Sequence, residues 1–228
     1  MSGRIVVITG GYGGLGCALA RAFIAAGDRV VLTGRDETRL ATAAAELGVW
    51  MYRALDVTDR QAVASLREHL QVACGHVDVL INNAGRMGGG GPLEDVDPDE
   101  FAAIMDANIN GPFLVTRGLL PLLVASSAGL VINVASTSGH RADAHSAAYN
   151  ASKFGLLGFT EAIRKDLRQR GIRVSSLSPS SISFSDDAPR GGKGARLHGD
   201  DVAAAAVWLA DAPPRALVRD IELWATNP

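Results

Sequence analysis

Ile5-Val6-Val7-Ile8-Thr9-Gly10-Gly11-Tyr12-Gly13-Gly14-Leu15-Gly16 is the stretch that decides the fold. Four β-branched residues in a row read as a short buried strand, and the alanine-rich segment after Gly14 has helical period. Between them stands Gly10-x-x-x-Gly14-x-Gly16. A strand, a glycine turn and a helix in that order form the first unit of an α/β sheet that binds a dinucleotide. The glycines let the backbone approach a pyrophosphate, and the helix start supplies unpaired N–H groups with a favourable dipole. Tyr12, Gly13 and Leu15 fall inside the run and are expected at the cofactor with Gly10, Gly14 and Gly16. A glycine-rich turn with packing duties alone is the bland alternative, and the flanking strand and helix argue against it.

The pattern continues outward. Strands are expected at Ile5–Ile8, Arg29–Thr33, Trp50–Leu55, Val77–Asn82, Gly129–Ala135, Ile172–Ser178 and Asp220–Trp224. Helices are expected at Gly14–Ala26, Glu37–Glu46, Thr58–Val72, Pro98–Ala125 in one or two pieces, Ala147–Arg170 and Asp200–Ala210. This alternation makes residues 1–228 a single α/β domain, a Rossmann-like doubly wound sheet of about seven parallel strands with helices on both faces. Two irregular stretches, Arg86–Pro98 and Ser180–Gly199, follow strand C-terminal ends, where open α/β sheets bind their ligands. Gly191, Gly192 and Gly194 among charged residues suggest that Ser183–Gly199 is a mobile lid or a disordered excursion.

Composition narrows the function. A 228-residue chain that is 47% hydrophobic is globular, and a net charge of −2 gives no electrostatic case for nucleic acid or an anionic membrane. No apolar run reaches the ~20 residues that span a bilayer. Met1-Ser2-Gly3-Arg4 leads directly into the first strand, so a cytoplasmic protein is expected. Cys17 and Cys74 have neither metal nor redox spacing, and the five histidines form no ligand pattern; no metal site is expected.

The second strand ends in Thr33-Gly34-Arg35, where such folds read the adenosine ribose. An acidic residue there binds the 2′-hydroxyl, whereas an arginine accommodates a 2′-phosphate. Arg35 therefore points to NADP(H); NAD(H) follows if Asp36 turns inward instead. Asp56-Val57 closes the third strand, where a carboxylate can accept from the adenine amino group. Asn83-Ala84-Gly85, after Asn82, closes the fourth with small residues that leave room for a cofactor.

Tyr149-Asn150-Ala151-Ser152-Lys153 carries the chemistry. Tyrosine and lysine at i and i+4 share one helix face, about 5–6 Å apart at Cβ. The ammonium is expected to favour the phenolate and pull the tyrosine pKa down from about 10 toward working pH. That makes a proton donor or acceptor for an alcohol/carbonyl pair. Ser136 lies thirteen residues upstream.

Together these pieces resemble the short-chain dehydrogenase/reductase family over nearly the whole chain. The family's TGxxxGxG is matched by Thr9–Gly16, its NNAG by Asn82–Gly85, its helix asparagine by Asn108, its serine by Ser136 and its YxxxK by Tyr149 and Lys153. The resemblance implies that Tyr149 is the general acid in reduction and the general base in oxidation, and that Ser136 hydrogen-bonds the substrate oxygen. Lys153 would lower the tyrosine pKa and hold the nicotinamide ribose, and Asn108 would position a water continuing the proton relay. Ile182 matches the position whose backbone meets the nicotinamide carboxamide. The chain departs from the family at Pro179-Ser180, where proline-glycine is usual, and at Phe184, where a threonine commonly bonds the cofactor; Ser183 or Ser185 could substitute.

The implied activity is an NADPH-dependent carbonyl reductase or alcohol dehydrogenase on a small-molecule ketone or secondary alcohol. The alternative is a non-catalytic NADP-binding regulator or scaffold, which has no physical need for a tyrosine poised by a lysine. A sugar-nucleotide epimerase needs a further substrate domain for which 228 residues leave no space. The resemblance implies a homo-oligomer, and because the sequence stops at Trp224-Ala225-Thr226-Asn227-Pro228 without the glycine-rich tail that often helps build the family's tetramer interface, both a homodimer and a homotetramer stay open. Met87, Gly88–Gly91, His140, Arg141, His145 and Phe184 are expected to border the substrate pocket.

Overall fold

In the computed structural model, which describes residues 3–88, 90–185 and 194–226, five strands are buried along almost their whole length. These are β1 (Ile5–Thr9), β2 (Arg29–Gly34), β4 (Val79–Asn82), β5 (Leu130–Val134) and β6 (Arg173–Pro179). Continuous apolar runs suit strands covered on both faces. Residues alternate between the two covers. Val6 and Ile8 pack with Phe23 of α1 (Gly14–Ala25) and Val202 of α7 (Gly199–Asp211). Ile5 and Val7 pack with Leu66 of α3 (Arg60–Ala73) and Leu119 of α5 (Gly111–Ala125).

The outermost strands β3 (Met51–Ala54) and β9 (Asp220–Leu223) alternate half-buried with exposed residues. The order is β3-β2-β1-β4-β5-β6-β9, all pairs parallel. Between β1 and β4 the direction of winding reverses, and the crevice opens at the strands' C-terminal ends there. The expected seven-stranded doubly wound sheet is the observed one.

Three local features were not legible as periodicity. Pro98–Ala125 is α4 (Pro98–Met105), a π-helical turn (Asp106–Asn110) and α5 in unbroken succession. Ile182–Ser183 (β7) and Leu197–His198 (β8) form a separate two-stranded parallel pair, inside the stretch read as irregular. Beneath the crevice a buried polar chain ties helices to the sheet. Asn82 Nδ2 donates to Thr116 Oγ1 (2.9 Å) and to Asn133 Oδ1 (2.8 Å), and Asn133 Nδ2 donates to Thr160 Oγ1 (2.8 Å). Thr160 belongs to α6 (Ala147–Arg168), so this chain fixes the helix that carries Tyr149 and Lys153. Residues 186–193 of the expected lid lie outside the described residues.

Candidate active site

A cavity of about 910 Å³ lies along the C-terminal ends of the central strands, within the range of small-molecule and cofactor sites. Its floor is the glycine run. Gly10 has φ +66°, and a Cβ there would meet Ala84 Cα at 2.9 Å; a Cβ on Gly16 would run into the Gly10 carbonyl. The close approach of backbone to backbone is what demands glycine at these two positions. Gly13 caps α1 without a side-chain hydrogen bond, and the first turn holds no acidic residue. The leading N–H groups of α1 are therefore left without a side-chain acceptor from the cap, a ready anion site. Opposite, Thr9 Oγ1 accepts from the N–H groups of Asn83 (3.0 Å) and Ala84 (2.9 Å), while Asn83 Nδ2 donates to Thr9 O (2.8 Å). These bonds hold Asn83, Ala84 and Gly85 along the wall. Gly10, Tyr12, Gly13, Leu15 and Gly16 all line the cavity. Gly14 does not, because the Phe184 ring lies against it.

At the far end stand Arg35, Asp56 and Val57. Arg35 is two-thirds exposed, with Asp56 Oδ2 at 4.0 Å from Nη1. Burial alone would raise the Asp56 carboxyl, but bonds from the Thr58 hydroxyl and N–H, with Arg35 nearby, hold it below the usual carboxylate range. Asp36 is not directed inward. Its carboxylate caps α2 (Glu37–Leu47), accepting from Arg39 N at 3.0 Å. The carboxylate that could have read a 2′-hydroxyl is thus engaged as a helix cap, and Arg35 lines this end of the cavity.

The reacting end is built from β5, α6 and β6. Ser136 follows β5 and accepts from Ser138 N at 3.1 Å. Tyr149, in the first turn of α6, lines the cavity beside it. The expectation that Lys153 lowers the Tyr149 pKa is corrected here. Burial raises the phenol above 10, and hydrogen bonding with Ser136 only partly offsets it. Lys153 is itself buried, its Nζ 5.6 Å from the centre of the Tyr149 ring. Nζ donates to Val134 O at 2.9 Å, and burial pulls the ammonium down to about 8. An ammonium has three donors, so the remaining two suit the hydroxyls of a ribose.

Asn108 is buried behind the cavity wall, inside the π-helical turn. Its Oδ1 accepts from Arg86 N (2.7 Å), and its Nδ2 donates to Arg86 O (3.0 Å) and to Ser152 Oγ (2.9 Å). Ser152 in turn donates to Tyr149 O at 2.7 Å. Both amide N–H groups are therefore taken, and Asn108 reaches Tyr149 through Ser152. π-Turns concentrate at functional sites, but nothing in the periodicity of this segment announces one.

Ile182 lines the cavity, as do Met87 and Phe184. Gly89 lies outside the described residues, and the other expected pocket residues among those described do not line it. His140 bonds Ser178 Oγ at 3.2 Å, Arg141 stacks on Trp224, and the His145 carbonyl accepts from Gly91 N. Ser183 Oγ accepts from Ser185 N at 3.3 Å. Arg86 and Arg196 line the cavity unexpectedly. Neither belongs to a motif, and only the fold brings them to the crevice.

Residues 4–189 match the family model for short chain dehydrogenases. A 2-dehydro-3-deoxy-L-rhamnonate dehydrogenase (NAD(+)) from Sphingomonas sp. (strain SKA58) is 36% identical, over 79% of this chain and 73% of its own length. A serine 3-dehydrogenase from Agrobacterium fabrum is 33% identical over 100% of this chain and 95% of its own. The crystal structure of a metagenomic short-chain oxidoreductase in complex with NADP superposes with a TM-score of 0.86 at 33% identity, covering 100% of this chain and 99% of that one. Motifs, sheet order, crevice and relatives agree, and the chain belongs to the short-chain dehydrogenase family of oxidoreductases.

Proposed function

We propose that the chain is an NADP(H)-dependent carbonyl reductase or alcohol dehydrogenase acting on a small ketone or secondary alcohol. The observation that carries this reading is that Ser136, Tyr149 and buried Lys153, one turn on from the tyrosine, line the same cavity as the glycine cradle. Similar proteins include one crystallised with NADP and one named for NAD(+), so the coenzyme is argued from geometry. Arg35 faces the ribose end, and Asp36 is engaged as a helix cap. A dinucleotide fits the residues present: N–H groups at the start of α1 for the diphosphate, Lys153 donors for the nicotinamide ribose, the Ile182 backbone for the carboxamide.

When bound, the nicotinamide exchanges a hydride with the substrate carbon. The chain's own residues manage the oxygen. The Ser136 hydroxyl donates to it and stabilises the negative charge that develops there. Tyr149, kept protonated by its burial, gives its proton to that oxygen in reduction; in oxidation it must first lose the proton and then accept the alcohol's. Asn108 acts as a positioning residue, holding the first turn of α6 through Ser152. A scaffold would gain nothing from a buried ammonium beside a half-buried phenol, since both cost stability.

Tyr149→Phe is the test. Turnover should fall ~10²–10⁴-fold while NADPH affinity stays within about twofold, as removal of a general acid predicts. Unchanged turnover on a substrate of the unmodified protein would refute the mechanism. We further read the chain as a homodimer or homotetramer, supported by Phe113 and Phe154 standing exposed on neighbouring helices α5 and α6; sedimentation would distinguish these from a monomer.

A further inference from the structure

We propose that Arg196 is a ligand of the cofactor's diphosphate, supplying the full positive charge that the glycine cradle lacks. The proposal rests on the NADP(H) reading above.

The cradle has a charge deficit. The first turn of α1, Gly14-Leu15-Gly16-Cys17, contains no cationic side chain, and Gly13 caps it without a side-chain bond. Backbone N–H groups and the helix dipole offer roughly half an elementary charge, whereas a diphosphate brings about two negative ones. Arg35 and Lys153 are placed at the two ribose ends. In the family's pattern a hydroxyl at position 184 helps hold the cofactor; here Phe184 offers only a ring. That ring is wedged between two helix starts: a Cβ on Gly14 would meet it at 2.5 Å and one on Gly199 at 3.5 Å.

The β7–β8 pair then delivers a replacement. Leu197 N donates to Ser181 O at 3.1 Å, and Ile182 pairs with Leu197. Leu197 is buried in the core layer shared by α1 and α7. Ala195 and Leu197 are buried while Arg196 between them is exposed, so Arg196 faces away from that core. It lines the cavity together with Gly13, Leu15 and Gly16, and it carries no ion pair among the described residues. A guanidinium is suited to this task because it meets phosphate oxygens in a bidentate, charge-assisted fork. A carboxylate on the substrate is the competing partner. The lie of this strand pair against the opening of α1, through Phe184, favours the diphosphate.

Titration of coenzyme fluorescence, and of protein fluorescence with adenosine 2′-monophosphate, separates the possibilities. The nucleotide keeps the adenosine and 2′-phosphate but lacks the diphosphate. Arg196→Ala should weaken NADPH and NADH alike, about tenfold each for a partly solvated charge-assisted contact, and leave the monophosphate unchanged. Arg35→Ala should show the complementary pattern, weakening NADPH and the monophosphate and sparing NADH. Unchanged dinucleotide affinity in Arg196→Ala, with or without a raised substrate KM, overturns the proposal, as does an equal loss for the monophosphate. A wild-type chain that binds neither dinucleotide refutes the cofactor reading itself, and the assignment of Arg196 with it.

Discussion

Replacing Lys153 by methionine should stabilise the protein at neutral pH, by an amount that shrinks as the pH rises. The Lys153 ammonium is buried, its one hydrogen bond among the described residues goes to Val134 O, and no carboxylate among them pairs with it. Burial brings its pKa from the ordinary 10.5 down to about 8. Each pH unit corresponds to about 1.4 kcal/mol, so the gap between 10.5 and about 8 amounts to roughly 3 kcal/mol. Between about 8 and 10.5 the unfolded lysine keeps its proton while the folded one has lost it. The unfolded state then binds more protons, and stability rises with pH across that window. The penalty is complete below about 8 and gone above about 10.5. Urea unfolding of wild type and Lys153→Met at pH 7 and pH 9.5 reads the effect, because the substituted side chain retains the bulk but has no proton to lose. Wild type should recover about 2 kcal/mol relative to the variant between those pH values. Stopping at about pH 9.5 leaves tyrosine ionisation, ordinarily near 10, out of the comparison. A difference that does not move with pH would show that Lys153 is solvated in the folded protein, and the account of its burial would fail.

Arg35→Ala should raise the NADPH dissociation constant roughly ten- to thirtyfold, the lower part of the charge-assisted range because the side chain is two-thirds exposed and near Asp56. NADH should change by no more than about twofold, and equal losses in the two titrations would remove Arg35 from the coenzyme site. Asn108→Ala leaves the Arg86 N–H, the Arg86 carbonyl and Ser152 Oγ without their partner, at a cost of about 2–4 kcal/mol in urea unfolding. It should also lower kcat more than it raises the NADPH dissociation constant, since it acts on Tyr149 through Ser152; a pure stability loss with normal turnover would confine it to packing.

The strands β1, β2, β4 and β5 were legible because each is a short, buried run rich in valine, isoleucine and leucine, the signature of a parallel strand covered on both faces. The glycine run was legible for a similar reason: Gly10 needs a left-handed backbone and Gly16 needs the space of a missing side chain. Arg35 could be proposed for one end of a cofactor because the residue that follows the end of β2 comes to the crevice in any such fold. These are local properties, written in consecutive residues, and they determined the fold, the family and the set of groups available for chemistry. The state of those groups depended on contacts between distant segments. Whether Asp36 faced the ribose or capped a helix was decided by α2 beginning at Glu37. Tyr149 was expected to be acidified by its neighbour one turn along, yet the burial imposed by surrounding elements raises it, and the partial offset comes from Ser136. Asn108 was placed by motif, but its bonds to Arg86 and Ser152 span 22 and 44 residues. Arg196 reaches the cavity only because two-residue strands pair across the 182–197 excursion, too short to leave a period in the sequence. Spacing along the chain set which side chains could meet; desolvation and hydrogen bonding, summed over elements remote in sequence, decided their protonation and their roles.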